Sequence, residues 1–127
     1  MGYTNIARDR YNDGSDITCY ATAPVTGKTF VTYSGEMNRD LITVATATAG
    51  GAVAGVAKYD ADADTAVGVA RGASRIITIT AGAQLAAGDK VEVGDGGKAV
   101  PQESGDIVGF AVAPAQANTD ALISLAY

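Results

Sequence analysis

Three aspartates at alternate positions, Asp60, Asp62 and Asp64, come closest in this chain to a chemical site. Alternate carboxylates open the Ca²⁺-binding loop of EF-hand proteins, where they converge on one cation. The rest of that loop is missing, because Thr65 stands where it needs glycine and Arg71 where it needs a bidentate glutamate. We interpret the three as an acidic surface corner, leave a weak cation site open, and expect no metal and no cofactor.

The glycine-rich segment Gly94–Lys98 invites comparison with a phosphate-binding loop. A P-loop needs a glycine five residues before its Gly-Lys pair and a serine or threonine after it. Glu92 and Ala99 occupy those two positions. The alternating residues on either side, Lys90–Val93 and Lys98–Val100, instead predict a β-hairpin with the glycines at its tip.

Catalytic residues are scarce in the rest of the chain. It has fourteen acidic residues but no histidine and no tryptophan. Cys19 lies in the alternating stretch Ile17–Ala21 and has no histidine to activate it, so we expect a buried thiol rather than a nucleophile. A hydrolase using paired acids is the least favoured function, and we predict that the protein is not an enzyme.

Size and charge restrict the function further. A chain of 127 residues predicts one domain. The net charge of −5 and the lack of clustered Lys and Arg argue against nucleic acid and anionic membrane as partners. We find no apolar run of transmembrane length and no signal-peptide pattern at Met1–Asn5, and the single cysteine suits a reducing compartment.

An eleven-residue motif occurs twice and predicts the elements that position the acidic corner. Gly55–Thr65 and Gly109–Thr119 share their glycine, an Ala-x-Ala alternation and the closing threonine. Alternating apolar runs follow, Ala66–Ala70 and Ala121–Tyr127, so each copy predicts a strand, a corner and a second strand. The second copy replaces the three aspartates by Pro114, Gln116 and Asn118.

The whole pattern predicts an all-β protein, a small single-domain β-sandwich or barrel with an extended N-terminal arm. Turn signals recur about every ten residues, and Ile76–Thr80 is the strongest strand. We place the arm at residues 1–14 and the β domain at 15–127. The arm lacks a steady period, so it either extends away from the domain or folds back onto it, and the sequence does not choose between the two.

Four segments between Ile17 and Leu125 resemble, in order and spacing, a family of small tailed-phage head proteins, the capsid decoration or cement proteins. Residues 1–14 and 34–44 fall outside that resemblance. The matching pieces are Thr22–Val25 with Gly27; Gly55–Ala57, the Asp60–Asp64 corner and Val67–Val69; Ala87–Val91 with Gly94–Gly97; and Val108–Ala111 with Leu122–Leu125.

This resemblance implies a structural protein of the virion. Family members are compact β domains that bind the outer surface of an assembled head, typically as homotrimers at three-fold and quasi-three-fold positions, bridging subunits of the major capsid protein. We therefore expect the major capsid protein as partner, no small-molecule substrate, synthesis in the host bacterial cytoplasm, and weak contacts strengthened by multivalency.

The arm supplies our candidate capsid-binding residues, Tyr3, Ile6, Arg8, Arg10 and Tyr11. We expect the arm to lie against the capsid, with addition of a strand to an exposed sheet edge as one way of doing so. Deletion of residues 2–14 is then expected to abolish head binding without unfolding the domain.

An alternative is a virion-associated module of the head or tail that binds carbohydrate or protein without enzymatic activity. Sugar binding needs exposed aromatic rings on one face. The candidates for such a platform are Tyr20, Tyr33 and Tyr59.

Overall fold

The computed structural model describes residues 2–11 and 14–127. Over those residues the chain forms eleven short strands and a single 3-10 turn, so the predicted all-β class is confirmed. No helix in this part of the chain is long and apolar enough to cross a membrane. The strands are β1 (Asp9–Tyr11), β2 (Ser15–Ala21), β3 (Phe30–Tyr33), β4 (Thr43–Thr46), β5 (Gly55–Ala57), β6 (Thr65–Arg71), β7 (Ile76–Thr80), β8 (Lys90–Val93), β9 (Ala99–Pro101), β10 (Gly109–Ala111) and β11 (Asp120–Leu125), with the 3-10 turn at Asp95–Gly97.

Strands β2 to β6, which we call the first repeat, form a closed five-stranded barrel in the order β2-β4-β3-β5-β6. The antiparallel pair of β2 and β6 is its longest, and a parallel pair of β2 and β4 closes it. Alternate residues of each strand point inwards. Together with Val25 and Ala54 from the loops they form a cluster of small side chains that includes the predicted buried thiol: Cys19, Ala21, Val25, Val31, Val44, Ala54, Ala57, Val67 and Val69.

Strands β7 to β11, the second repeat, join β1 in a sheet of order β1-β7-β11-β10-β8-β9. Their pairing copies that of the first repeat: β7 pairs β11 as β2 pairs β6, and β8 pairs β9 and β10 as β3 pairs β4 and β5. Even the closing parallel pair has a counterpart in one bridge between Ala81 and Ala99. The predicted strand–corner–strand unit is therefore part of a duplicated five-strand unit.

The corner of each repeat is held by the same backbone hydrogen bonds. Val25 and Ala61 exchange two N–H···O bonds of 2.9 and 3.0 Å, and Leu85 and Ala115 exchange two of 2.8 and 3.0 Å. In both corners the closing threonine hydroxyl donates to the carbonyl three residues earlier at 2.7 Å, from Thr65 to Asp62 and from Thr119 to Gln116.

The predicted hairpin of β8 and β9 is also confirmed. The two strands pair antiparallel, and the Gly94 N–H donates to the Lys98 carbonyl at 2.8 Å. Gly96 and Gly97 have φ of 72° and 76°, which is left-handed backbone that favours glycine. The glycines of the phosphate-loop comparison are therefore turn residues.

One hydrophobic cluster joins the two repeats. It fills the inside of the second repeat, where it contains Ile77 and Ile79, and it continues onto the outside of the first repeat. There it takes in Phe30, Val56 and Ala70, which alternate along their strands with side chains that line the first barrel. The outward face of β5 is thus buried within the chain, and the repeats share a core.

Candidate functional site

The predicted arm lies along the body of the domain in its described residues. The Ala7 N–H donates to the Lys58 carbonyl at 2.8 Å, and the Asp60 N–H donates to the Thr4 carbonyl at 2.9 Å. Further along, β1 pairs antiparallel with β7 at the edge of the second sheet. Residues 4–11 therefore adopt the folded-back arrangement, the second of the two that the sequence left open.

The carboxylate of Asp60 anchors the start of the arm. It accepts hydrogen bonds from the Thr4 hydroxyl at 2.7 Å, the Asn5 amide at 2.8 Å and the Gly27 N–H at 2.8 Å. Burial raises the pKa of Asp60, but these hydrogen bonds outweigh it and hold the pKa below the usual value. A side chain at Gly27 would collide with the Asn5 carbonyl and with the backbone of Tyr59, so the arm needs glycine where it crosses.

An ion-pair network around the buried Arg75 anchors the end of the arm. The Arg75 side chain is fully buried, and its guanidinium lies 2.6 Å from Asp9 and 2.7 Å from Asp16. It also donates to the Ser15 carbonyl at 3.0 Å, and Lys58 lies 3.2 Å from Asp9. Hydrogen bonding to the Arg75 guanidinium is the main cause that lowers the pKa of Asp9. The arm thus supplies a counter-charge that the core requires.

Three candidate capsid-binding side chains face outwards from this ordered arm. Tyr3 is 66% exposed, and its ring stacks on Tyr59 with ring centroids 4.2 Å apart and planes 27° apart. Ile6 and Arg8 are exposed on either side of the buried Ala7. The structure therefore brings Tyr3, Ile6 and Arg8 to the surface of one fixed segment.

The other two candidates, Arg10 and Tyr11, contribute backbone to β1, and their side chains lie outside the described residues. One edge of β1 is already paired with β7. Strand addition to another protein by this segment is therefore limited to its other edge.

A cleft of about 590 Å³ lies beside Tyr3 in the corner of the first repeat, where Pro24, Asp62 and Thr65 also line it. The second repeat has a cleft of about 350 Å³ in its own corner, lined by the counterparts Gln84, Pro114, Gln116 and Thr119. Only the first corner holds the arm. The reason is chemical, because Tyr59 and Asp60 are replaced in the second copy by Ala113 and Pro114.

The carboxylates of the acidic corner are not grouped as ligands of one metal ion. Among residues 2–11 and 14–127, no group of three His, Cys, Asp or Glu side chains is placed to hold a metal ion. Asp60 is occupied by the arm, and Asp64 accepts a hydrogen bond from the Tyr20 hydroxyl at 3.3 Å. The sequence indicates an acidic surface corner at this place but does not reveal the partners of Asp60, which are two side-chain donors of the arm and the Gly27 N–H.

The three tyrosines of the carbohydrate alternative have different surroundings. One ring face of Tyr59 is stacked against Tyr3, and its hydroxyl accepts the Gly68 N–H at 3.0 Å. The Tyr20 hydroxyl is bonded to Asp64, whereas Tyr33 is an exposed residue at the end of β3. Of the three, Tyr33 is the one with an open ring, and Tyr3 adds an exposed ring that the sequence argument did not include.

Comparison with known proteins agrees with this architecture. The head fiber gp8.5 N base of bacteriophage phi29 has a similar fold, with a TM-score of 0.75 over 90% of this chain and 95% of that chain at 24% sequence identity. No curated protein matches the chain. The sequence pattern of the phage cement protein family matches residues 10–125, nearly the whole described β domain. The chain therefore belongs to the phage cement protein family, a family of structural phage proteins.

Proposed function

We propose that this protein is a cement protein of a tailed-phage head, which binds the outer capsid surface and stabilises the shell. Its partner is the major capsid protein, and it acts as a trimer at three-fold and quasi-three-fold positions. Family membership supports the general role. The observation that supports the contact is the ordered arm, which presents Tyr3, Ile6 and Arg8 outwards on a fixed backbone.

The chemistry of these three side chains suits a protein surface as partner. Large apolar side chains grouped on the surface mark interaction sites, and Tyr3 and Ile6 are two such residues on one short segment. Arg8 adds a cation on a chain whose net charge is −5. Because the Asp60 and Arg75 contacts already order the arm, binding costs little additional backbone entropy.

Because the proposed trimer binds through three arms, each contact with the capsid can be weak. Three arms on one particle raise the effective concentration of each other once the first has bound. A loss of about 1.4 kcal/mol of binding free energy in each arm lowers the affinity of that contact about tenfold. The reductions in affinity multiply across the three contacts. Small changes in the arm are therefore expected to change head occupancy strongly.

Side-chain substitution tests this proposal better than removal of the arm. Deletion of residues 2–14 would strip Asp9 from the buried Arg75 and remove β1 from the edge of β7. We therefore expect the deletion to destabilise the domain, which differs from the expectation drawn from sequence.

The test compares two matched triple variants for binding to undecorated heads by co-sedimentation. The arm variant carries Tyr3→Ser, Ile6→Ser and Arg8→Asn. The control carries Tyr33→Ser, Met37→Ser and Arg39→Asn, which removes the same kinds of exposed side chain from β3 and the loop after it. We expect the arm variant to lose at least about tenfold in affinity and the control to bind like wild type.

Two results would overturn parts of the proposal. Loss of binding in the control alone would place the contact on the loop after β3 and leave the cement function standing. Failure of the wild-type protein to bind heads, or imaging of decorated heads with density away from three-fold and quasi-three-fold positions, would contradict the function or its proposed geometry. A further readout is the temperature at which heads lose their integrity, which decoration is expected to raise.

A further inference from the structure

The duplication allows one surface of the molecule to be compared with its own counterpart. Across the first repeat, the register places Phe30 opposite Val56, Val56 opposite Ala70, and Ala70 opposite Asp16. We call this row the β5 face. Across the second repeat, the same register produces the row that we call the β10 face, which is Lys90, Phe110, Ser124 and Ile76, with Val112 beside Leu122 in the adjoining row.

The two faces have opposite environments. Phe30, Val56 and Ala70 of the β5 face are fully buried, because the hydrophobic cluster of the second repeat covers them. On the β10 face, Phe110 is 42% exposed and Val112 is 44% exposed. The β10 face is thus the uncovered counterpart of a surface that this fold buries in its other copy.

We propose that a second copy of this chain covers the β10 face, and that this contact joins the subunits of the assembly. This inference rests on the proposed function, because the trimer whose subunits it joins is part of that function. Within the molecule, the equivalent face is already covered by strands of this same chain.

The side chains of the β10 face suit that occupant. Phe110 is an aromatic residue at the centre of the row, and aromatic anchors carry much of the binding energy in protein interfaces. Lys90 stands at one end of the row, is exposed, and belongs to none of the salt bridges found among the described residues. A chain with fourteen acidic and nine basic residues offers many carboxylates to such a lysine.

The test measures the association of the free protein by sedimentation velocity over a wide range of concentration. The variant carries Phe110→Thr and Val112→Thr, which remove the exposed apolar groups and keep residues that favour strands. The control carries Tyr33→Thr and Met37→Thr, which remove exposed apolar groups from another part of the surface. Circular dichroism and thermal unfolding confirm folding, and Val112→Thr alone serves if the double variant unfolds.

We expect the wild type and the control to form a multi-chain species, and the β10-face variant to weaken the association by at least about 100-fold. A variant that associates like wild type would overturn the inference. If the wild type is a single chain in solution, imaging of decorated heads decides: Phe110 against a neighbouring copy supports the inference, and Phe110 against solvent or capsid protein overturns it. Association through this face without head binding would overturn the proposed function alone.

Discussion

The two repeats share one pattern of backbone hydrogen bonds but differ in what their corners and outward strand faces contact. In the first repeat the corner holds the arm, and the outward face of β5 is buried. In the second repeat the corner cleft is without the arm, and Phe110 stands open at the equivalent place on β10. Duplication therefore preserves the backbone, while the contacts with other parts of the chain depend on side chains that the copies do not share.

The conserved element of the corner is backbone shape. Asp64 and Asn118 both have left-handed backbone, with φ of 62° and 64°, immediately before the closing threonine. Lys28 and Gly88, which precede β3 and β8, also share positive φ, at 62° and 88°. Aspartate, asparagine and glycine tolerate this conformation best, so three of the four positions suit their backbone.

The largest expected effect comes from breaking the contact of the arm with the second repeat. Asp9→Ala leaves the fully buried Arg75 with Asp16 as its one remaining acidic partner among the described residues, and removing a partner from a buried charge costs about 3 kcal/mol or more. We expect the free energy of unfolding to fall by that order in urea titration. Asp89→Ala is a control on another acidic residue, whose one described side-chain bond is to the Ala86 N–H. An equal loss in both variants would contradict a special role for Asp9.

The strands of the second repeat could be predicted from sequence because their signals are local. Ile76–Thr80 has the predicted bounds, and its three isoleucines and two threonines are residues enriched in strands. The extent of the duplication was not predictable in the same way. Val25 and its counterpart Leu85 are 60 residues apart, whereas Ala61 and Ala115 are 54 apart, so no single offset aligns the two units.

The anchors of the arm were not predictable because their partners are distant in sequence. Asp60 bonds to Asn5 across 55 positions, and Arg75 bonds to Asp9 across 66. No short motif encodes such pairs. One signal was available in the comparison of the two copies, since the first has Tyr59 and Asp60 where the second has alanine and proline.

A second prediction concerns the corner that holds the arm. Asp60→Ala removes the acceptor of hydrogen bonds from three donor groups and is expected to cost about 2 kcal/mol in the free energy of unfolding. Asp62→Ala, two residues away and exposed, is expected to cost less than about 0.5 kcal/mol. Hydrogen exchange of the Ala7 amide should become faster in the first variant only. Equal effects of the two substitutions would show that Asp60 does not anchor the arm.

A third prediction follows from the lowered pKa of Asp9 and Asp60. A carboxyl group with a lowered folded pKa stabilises the protein above its unfolded pKa, which is 3.8 for aspartate, and loses that contribution as pH falls through the folded value. Stability should therefore decline below about pH 4. Asp60→Asn should have a shallower decline than wild type, as measured by thermal unfolding across this range. An unchanged slope would mean that Asp60 has its usual pKa.

The smallest expected effects test the equivalence of the two corners directly. Thr65→Ala and Thr119→Ala each remove an exposed hydroxyl that donates to a carbonyl three residues earlier at 2.7 Å. Each should cost about 0.5–1 kcal/mol, and the two losses should agree because the geometry is the same. Since the hydroxyls share no partner, the double variant should show the sum of the single losses. If Thr65→Ala costs clearly more than Thr119→Ala, the arm depends on the geometry of the first corner as well as on the carboxylate of Asp60.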